Sequence, residues 1–219
     1  MRIYALSGLG ADERVFQVLN LKHELVPIKW IAPLSYSESI SSYVKRLSKQ
    51  IDIKEPFILL GVSFGGLIVT ELNKIIKPQY NILISSTDTT QGIKSLFRFF
   101  KFIVPWIPKQ LLQPPKSIAR LLFGAKNKVL LNEILSDSNS TFNKWAIIIL
   151  TSWENPTPLT QCIKISGESD LLIPPIKGKN TIIIPNGEHF MIVDKAEEIS
   201  SIIYKVYINK IRETENFSA

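Results

Sequence analysis

The chain has 219 residues, of which 45% are hydrophobic and 21% are charged, and its formal net charge is +7. These values lie near the average of globular proteins and exclude a disordered or collagen-like chain. A single cysteine excludes an intramolecular disulfide and a cysteine-built metal site, and two histidines argue against a histidine-rich metal site. We therefore expect no bound metal.

The first residues do not match a signal peptide, because glycines and acidic residues interrupt their short apolar run at once. Elsewhere, no window approaches the run of about 18 apolar residues that a transmembrane helix requires. We therefore expect a cytoplasmic protein.

Strands alternate with helices along most of the chain. Apolar runs predict strands over residues 2–7, 24–31, 57–62, 80–85, 162–166 and 181–184. Apolar residues at three- and four-residue spacing predict helices over residues 12–21, 37–51, 67–76 and 196–210. This alternation is typical of an α/β fold, with a mostly parallel sheet of about six strands and helices on both faces.

The alternation is interrupted once, between residues 89 and 155, where the pattern is helical and punctuated by prolines. We expect a core domain formed by residues 1–88 and 156–219, and a helical cap, or lid, formed by residues 89–155. The prediction places this cap after the strand over residues 80–85.

The excess positive charge lies in the predicted cap. Between Thr89 and Asn132 there are eight basic residues and no acidic residue, whereas the remaining chain has 18 basic and 19 acidic residues. The segment is also rich in aromatic residues, but no zinc-finger or RNA-binding signature accompanies it, so we expect no nucleic-acid partner. The simplest interpretation is that these charges are the solvated faces of amphipathic helices. A membrane surface or an anionic substrate is the functional alternative.

Residues 61–65 read Gly-Val-Ser-Phe-Gly and match the pattern Gly-x-Ser-x-Gly. A predicted strand ends at this motif and a helix begins inside it, the context in which a serine lies on a sharp turn with its hydroxyl exposed. A serine hydroxyl becomes a nucleophile only beside a base, and the base needs an orienting carboxylate. Ser63 is therefore a candidate nucleophile.

The candidate base and acid follow later predicted strands. His189 comes after the last strand, and Asp170 comes after the strand before it. Because the carboxyl ends of parallel strands meet at one edge of a sheet, both residues are expected close to Ser63. Asp88, which follows the fourth strand, is the alternative acid, and we interpret His23 as structural.

The order Ser63, Asp170 and His189 on successive strand ends, together with the turn motif and the helical insertion, resembles the α/β-hydrolase superfamily, in particular its small capped members. The resemblance implies a nucleophile elbow, a catalytic triad and an oxyanion hole formed by the N–H groups of Leu9 and Phe64. The sequence departs from the family at Ser7, where many members have a histidine, so the support of this loop differs.

The resemblance also implies an activity. We expect a serine esterase or thioesterase that cleaves a small acyl ester or thioester through an acyl-enzyme and needs no cofactor. Two alternatives stay open. One is a carbon–carbon bond lyase or hydrolase that uses the same triad for proton transfer, and the other is a non-catalytic protein that binds a small ligand.

The cap is expected to select the substrate. Phe100 and Trp106 are candidates for an acyl pocket, and Arg98 and Arg120 are candidates for bidentate contacts to a phosphate or carboxylate at its mouth. Alternatively, the cap docks on anionic lipid with Phe97, Phe100 and Trp106 inserted.

Overall fold

The computed structural model describes residues 1–21, 23–112, 115–178 and 180–217, without the side chains of Lys116 and residues 210–217. Its strands are β1 (Arg2–Leu6), β2 (Leu25–Pro27), β3 (Phe57–Val62), β4 (Tyr80–Ile84), β5 (Cys162–Gly167) and β6 (Thr181–Ile184). Within the described residues, these form one six-stranded sheet in the order β2-β1-β3-β4-β5-β6, and every neighbouring pair is parallel. The predicted α/β class is confirmed.

The α-helices lie in three groups along the chain. They are α1 (Ile40–Leu47) and α2 (Phe64–Leu72) between the early strands, α3 (Ser95–Phe99), α4 (Lys116–Phe123), α5 (Lys128–Asp137) and α6 (Ser140–Ser152) between β4 and β5, and α7 (Met191–Asp194) and α8 (Ala196–Phe217) after β6. Short 3₁₀ helices connect several of them, among them Phe100–Phe102, Val104–Trp106 and Lys109–Leu112. No helix in the described ranges is long and apolar enough to cross a membrane.

Several elements differ in extent from the prediction. Helix α1 is shorter than the predicted range 37–51, and α2 begins and ends earlier than the predicted range 67–76. In place of the helix expected over residues 12–21 there is a 3₁₀ helix, Glu13–Phe16, because the Asp12 carboxylate binds the backbone N–H and guanidinium of Arg14 and so favours a local turn. The second strand is shortened to Leu25–Pro27, at the edge of the sheet where a proline without an N–H is tolerated. The last helix continues past residue 210 to Phe217.

Hydrophobic clusters cover both faces of the sheet. On one face, side chains of β1 and β3 pack with α1, α2 and α6, and on the other face the alternate side chains of the same strands pack with α7 and α8. In the central strand β3, all six residues from Phe57 to Val62 are buried. This burial on both faces is expected for a parallel sheet and gives the strand ends a rigid base.

The helix α6 ties the inserted segment to the core. Trp145 is fully buried, its ring centroid lies 4.2 Å from that of Tyr43 in α1, and its Nε1 donates to the backbone oxygen of Glu38 at 2.9 Å. Trp153, just after α6, donates from Nε1 to Glu71 Oε1 at 2.8 Å. The inserted segment therefore shares a hydrophobic core with the helices of the sheet domain.

Candidate active site

Ser63 occupies a strained turn between β3 and α2. Its φ is 52° and its ψ is −120°, a backbone conformation that residues with a side chain rarely adopt. Hydrogen bonds hold the turn, since Ser63 N donates to Ile84 O at 3.0 Å and Ser86 Oγ donates to Ser63 O at 2.6 Å. The surrounding structure thus fixes the serine with its side chain away from the sheet.

The glycines of the motif permit this turn through close backbone approach. A Cβ at Gly61 would lie 2.6 Å from the Gly65 oxygen, and a Cβ at Gly65 would clash with the backbone oxygens of Leu6 and Ser7. Only glycine fits at either position, because the obstacles are backbone atoms that have little room to shift.

His189 and Asp170 complete a hydrogen-bonded series with Ser63. His189 Nε2 lies 2.8 Å from Ser63 Oγ, and His189 Nδ1 lies 2.8 Å from Asp170 Oδ2. Both His189 and Asp170 are buried, with exposures of 4% and 3%. When Nδ1–H donates to the carboxylate, the lone pair of Nε2 is left to accept the proton of the serine hydroxyl.

Backbone amides hold the Asp170 carboxylate in place. Its Oδ1 accepts the N–H groups of Leu172 and Ile173, each at 2.9 Å. These bonds satisfy a buried carboxylate and hold both of its oxygens within 3.0 Å of His189 Nδ1.

The carboxylate of Asp88, the alternative acid, binds groups other than His189. Its carboxylate is fully buried, lies 2.5 Å from the Lys164 ammonium and accepts the N–H of Leu159 at 2.9 Å. The hydrogen bonds of His189 Nδ1 go to Asp170, so the geometry favours Asp170 as the partner of the imidazole.

The remaining histidine and the cysteine lie apart from this series. His23 stacks on Tyr207 of α8 with ring centroids 3.5 Å apart, as expected for a structural residue. Burial raises the pKa of the Cys162 thiol to about 12, so this thiol stays protonated at neutral pH. In the described part of the chain, no three His, Cys, Asp or Glu side chains are placed to share a metal ion.

The loop after β1 lies directly against Ser63. A Cβ at Gly8 would come within 3.3 Å of the Ser63 Cβ and 3.8 Å of its Oγ. Leu9, the next residue, lines the same cavity as Ser63. Phe64 is the first residue of α2, so its N–H has no acceptor within the helix. Both predicted oxyanion-hole residues therefore belong to segments adjacent to the serine.

Ser7 braces this loop through Trp30. The indole Nε1 of Trp30 donates to Ser7 Oγ at 2.8 Å, and the Ser7 hydroxyl donates to Ala11 O at 2.8 Å. Ala11 N in turn donates to Gly8 O at 3.1 Å, which closes the turn. Sequence reasoning identified Ser7 as a departure from the family but missed Trp30, which lies 23 residues along the chain.

A cavity of about 520 Å³ opens beside Ser63 and His189. The inserted segment and the segment after Asp170 form most of its wall, which is apolar. These wall residues include Phe97, Leu112, Leu122, Phe123, Leu131, Ile134, Leu135, Ile147, Leu150, Leu172 and Ile173. The described lining residues contain no Asp, Glu, Lys or Arg. This volume lies within the range of about 300–1,000 Å³ of small-molecule sites.

The four predicted substrate residues of the cap do not line this cavity. Arg98 Nη2 lies 3.4 Å from Glu154 Oε1, and Arg120 Nε donates to Asn132 Oδ1 at 3.2 Å. Phe100 is exposed, and Trp106 is 86% exposed. The structure places Phe97 of this segment in the cavity wall and leaves the four side chains exposed or beside neighbouring polar groups, so their contact with substrate stays a prediction.

Searches for similar proteins give structural matches alone. No protein-family model matches the sequence, and no curated protein matches it significantly. Among solved structures, the enol-lactonase from Burkholderia xenovorans matches with a TM-score of 0.72 and 12% identity, over 94% of this chain and 91% of that chain.

Two further structures match over similar lengths. A lipase-esterase related protein from Clostridium acetobutylicum matches with a TM-score of 0.67 and 14% identity, over 94% of this chain and 93% of that one. The type II thioesterase of the yersiniabactin pathway matches with a TM-score of 0.61 and 15% identity, over 95% and 93%. The sheet order, the position of the helical insertion and these matches together show that the chain has the α/β-hydrolase fold.

Proposed function

We propose that this protein is a serine hydrolase that cleaves a carboxylic ester or thioester. The observation that carries the proposal is the hydrogen-bonded series from Ser63 Oγ through His189 to Asp170, placed on the wall of an apolar cavity. The fold by itself does not specify an activity, so the proposal depends on this site.

In the first half of the reaction, Ser63 Oγ attacks the carbonyl carbon of the substrate while His189 Nε2 accepts the hydroxyl proton. Asp170 keeps the imidazole in the required tautomer and stabilises its positive charge. The tetrahedral intermediate then collapses, the carbon–oxygen or carbon–sulfur bond breaks, and His189 returns the proton to the departing alcohol or thiol.

The developing negative charge on the carbonyl oxygen is placed between the N–H groups of Leu9 and Phe64. Two such donors act as an oxyanion hole, and the loss of one typically lowers the rate by about 100- to 1,000-fold. The close approach of the Gly8 backbone to Ser63 supports this assignment.

In the second half, water attacks the acyl-enzyme with His189 as base and releases a carboxylic acid. The acyl group is proposed to lie in the 520 Å³ cavity, whose described lining carries no charged Asp, Glu, Lys or Arg side chain. An apolar acyl group is therefore favoured over an anionic one, because a buried charge without a partner is costly.

The names of the structural neighbours agree with acyl chemistry. They include a type II thioesterase, a lipase-esterase related protein and an enol-lactonase. Since their identities to this chain are 15% or less, they support the class of reaction rather than a particular substrate.

The proposal is tested by measuring hydrolysis of p-nitrophenyl esters and acyl thioesters of increasing chain length. We expect turnover by the wild type and a decrease in kcat of about 10,000-fold or more in Ser63→Ala. Equal rates in the wild type and a folded Ser63→Ala variant would refute a serine hydrolase. A wild type that binds acyl ligands without turnover would favour the ligand-binding alternative.

A further inference from the structure

The outer surface of the inserted segment is unusually apolar. More than half of the exposed large hydrophobic side chains in the described ranges lie between Leu96 and Val129. The most exposed of them concentrate in residues 95–112, a stretch that we call the cap layer. Trp106 is 86% exposed, Leu111 74%, Phe102 72% and Phe99 71%.

The cap layer consists of α3 and three short 3₁₀ helices, and each of these elements contacts α6. Side chains that face inward, such as Phe97 and Leu112, line the cavity beside Ser63. Among the described residues, Phe99, Phe102 and Trp106 of the layer are exposed to solvent. The layer is therefore a thin wall with the apolar cavity on one side and an exposed aromatic surface on the other.

Positive charge accompanies this exposed surface. Arg98, Lys101 and Lys109 lie within the cap layer and Lys94 precedes it, while no acidic residue occurs from Thr89 to Asn132. Three of these basic residues have partners among the described residues: Arg98 pairs with Glu154, Lys109 donates to Thr141 Oγ1 at 3.1 Å, and Lys94 donates to Leu171 O. The ammonium of Lys101 lies 4.9 Å from the ring centroid of Phe102, on the exposed aromatic surface. Exposed aromatic residues combined with lysines and arginines are the composition of surfaces that insert into the headgroup region of a bilayer.

We propose that the cap layer docks on an anionic lipid surface, with Phe99, Phe102 and Trp106 inserted and the neighbouring lysines and arginines bound to lipid headgroups. This geometry differs from insertion of Phe97, which the structure places in the cavity wall. Docking is peripheral and does not depend on the hydrolase activity proposed above.

The charge pattern favours lipid over a second copy of the chain. In a symmetric dimer through the cap layer, the basic residues of one copy would face those of the other, and like charges at close range oppose association. The most exposed residues of the layer are large apolar side chains, as expected for a surface that enters a lipid interface.

The experiment measures sedimentation of the protein with sucrose-loaded vesicles of phosphatidylcholine, with and without phosphatidylglycerol. We expect binding to the anionic vesicles that weakens as salt rises, because headgroup contacts are screened. The triple variant Phe99→Ser/Phe102→Ser/Trp106→Ser should bind at least about 10-fold more weakly than the wild type. The matched control Leu34→Ser/Ile53→Ser/Ile75→Ser, which removes exposed apolar residues outside the cap, should bind like the wild type.

Tryptophan emission supplies a second readout. Trp145 and Trp153 are buried whereas Trp106 is exposed, so a blue shift on vesicle addition that is lost in Trp106→Phe would report insertion of Trp106. Lys101→Glu should weaken binding, and Lys49→Glu, outside the cap, should not.

Three results would overturn the proposal. They are no binding to anionic vesicles, equal loss of binding in the Leu34/Ile53/Ile75 control, or a dimer in light scattering that the cap-layer triple variant abolishes. Ester hydrolysis by the cap-layer variants is measured in solution, so a failure of docking and a failure of the hydrolase proposal give different results.

Discussion

At the scale of single residues, substitutions at Asp170 and Asp88 test which carboxylate orients the imidazole of His189. Asp170→Asn removes the acceptor of the Nδ1–H of His189 and is expected to lower kcat by about 10,000-fold, since the wrong tautomer of the histidine is then favoured. Because the substitution is nearly isosteric, the unfolding temperature should change little. The measurement is ester hydrolysis together with thermal unfolding.

Asp88→Asn supplies the contrast. It leaves Lys164 partly buried without its carboxylate, and is expected to reduce the free energy of unfolding by roughly 1–3 kcal/mol. Its kcat should stay within a few-fold of the wild type. A large loss of kcat in Asp88→Asn with normal activity in Asp170→Asn would transfer the role of the acid to Asp88.

We expect Trp30 to act as a positioning residue for the loop after β1. Trp30→Phe keeps an aromatic ring near Phe142 but removes the N–H that binds Ser7 Oγ. One hydrogen bond is worth about 1 kcal/mol, so we expect kcat to decrease on the order of 5- to 10-fold through the Leu9 amide. KM for a short-chain ester should not change, because the acyl cavity is untouched.

Ser7→Ala, which breaks the same brace from its other end, should reproduce the kcat effect of Trp30→Phe. Combining the two substitutions should add little, since both act on one contact. Additive losses, or a rise in KM with kcat preserved, would show that Trp30 contributes only packing.

At the scale of secondary-structure elements, α6 has side chains both in the cavity wall and in the buried core. Ile147 lines the cavity, whereas its neighbour Ile148, also half-buried, does not. Ile147→Phe is expected to lower kcat/KM for long-chain esters by about 10-fold or more relative to acetate, because it fills space that the acyl chain would occupy. The measurement is the chain-length profile with p-nitrophenyl esters.

Ile148→Phe is the matched control for this series and should leave the chain-length profile unaltered. If both variants change the profile equally, the effect comes from disturbance of α6 rather than from the cavity wall.

The elements also show what the sequence was able to predict. The strand runs, Gly-x-Ser-x-Gly at residues 61–65, and the positions of Asp170 and His189 after strands carry local signals that survive in the fold, because parallel strand ends meet at one edge. The cap layer carries no such signal. Prolines and short 3₁₀ helices interrupt its periodicity, so the side that Phe97 or Trp106 faces depends on tertiary packing.

Contacts between segments that are distant in the sequence were not predicted either. The brace from Trp30 to Ser7 depends on where the chain after β2 returns to the sheet, which no spacing in the sequence specifies. The length of the edge strand β2 was not predicted either. The strand ends at Pro27, which has no N–H to donate, although Ile28 N beyond it still donates to Ala5 O.

At the scale of the whole molecule, the core and the inserted segment are expected to unfold together. The boundaries at residues 89 and 155 stay a prediction, but Trp145 and Phe142 of α6 belong to the same buried cluster as Tyr43 and Phe64. We therefore expect a single calorimetric transition. Trp145→Phe should lower the free energy of unfolding by roughly 1–3 kcal/mol and shift that transition without splitting it.

Two separate transitions, or a Trp145→Phe variant that loses only part of its helical signal at low temperature, would mean that the inserted segment folds as an independent domain. Tyr36→Phe, an exposed position outside this cluster, is the control and should leave the transition in place.

His189 and Asp170 are proposed to activate Ser63, and labelling by a fluorophosphonate probe reports that activation at the serine itself. The modified residue is located by peptide mass spectrometry in the wild type, His189→Ala and Asp170→Asn. We predict a label on Ser63 in the wild type, no label in His189→Ala and strongly slowed labelling in Asp170→Asn. Folded wild-type protein that takes no label, or a label on Ser63 that persists at the same rate in His189→Ala, would show that His189 does not activate Ser63.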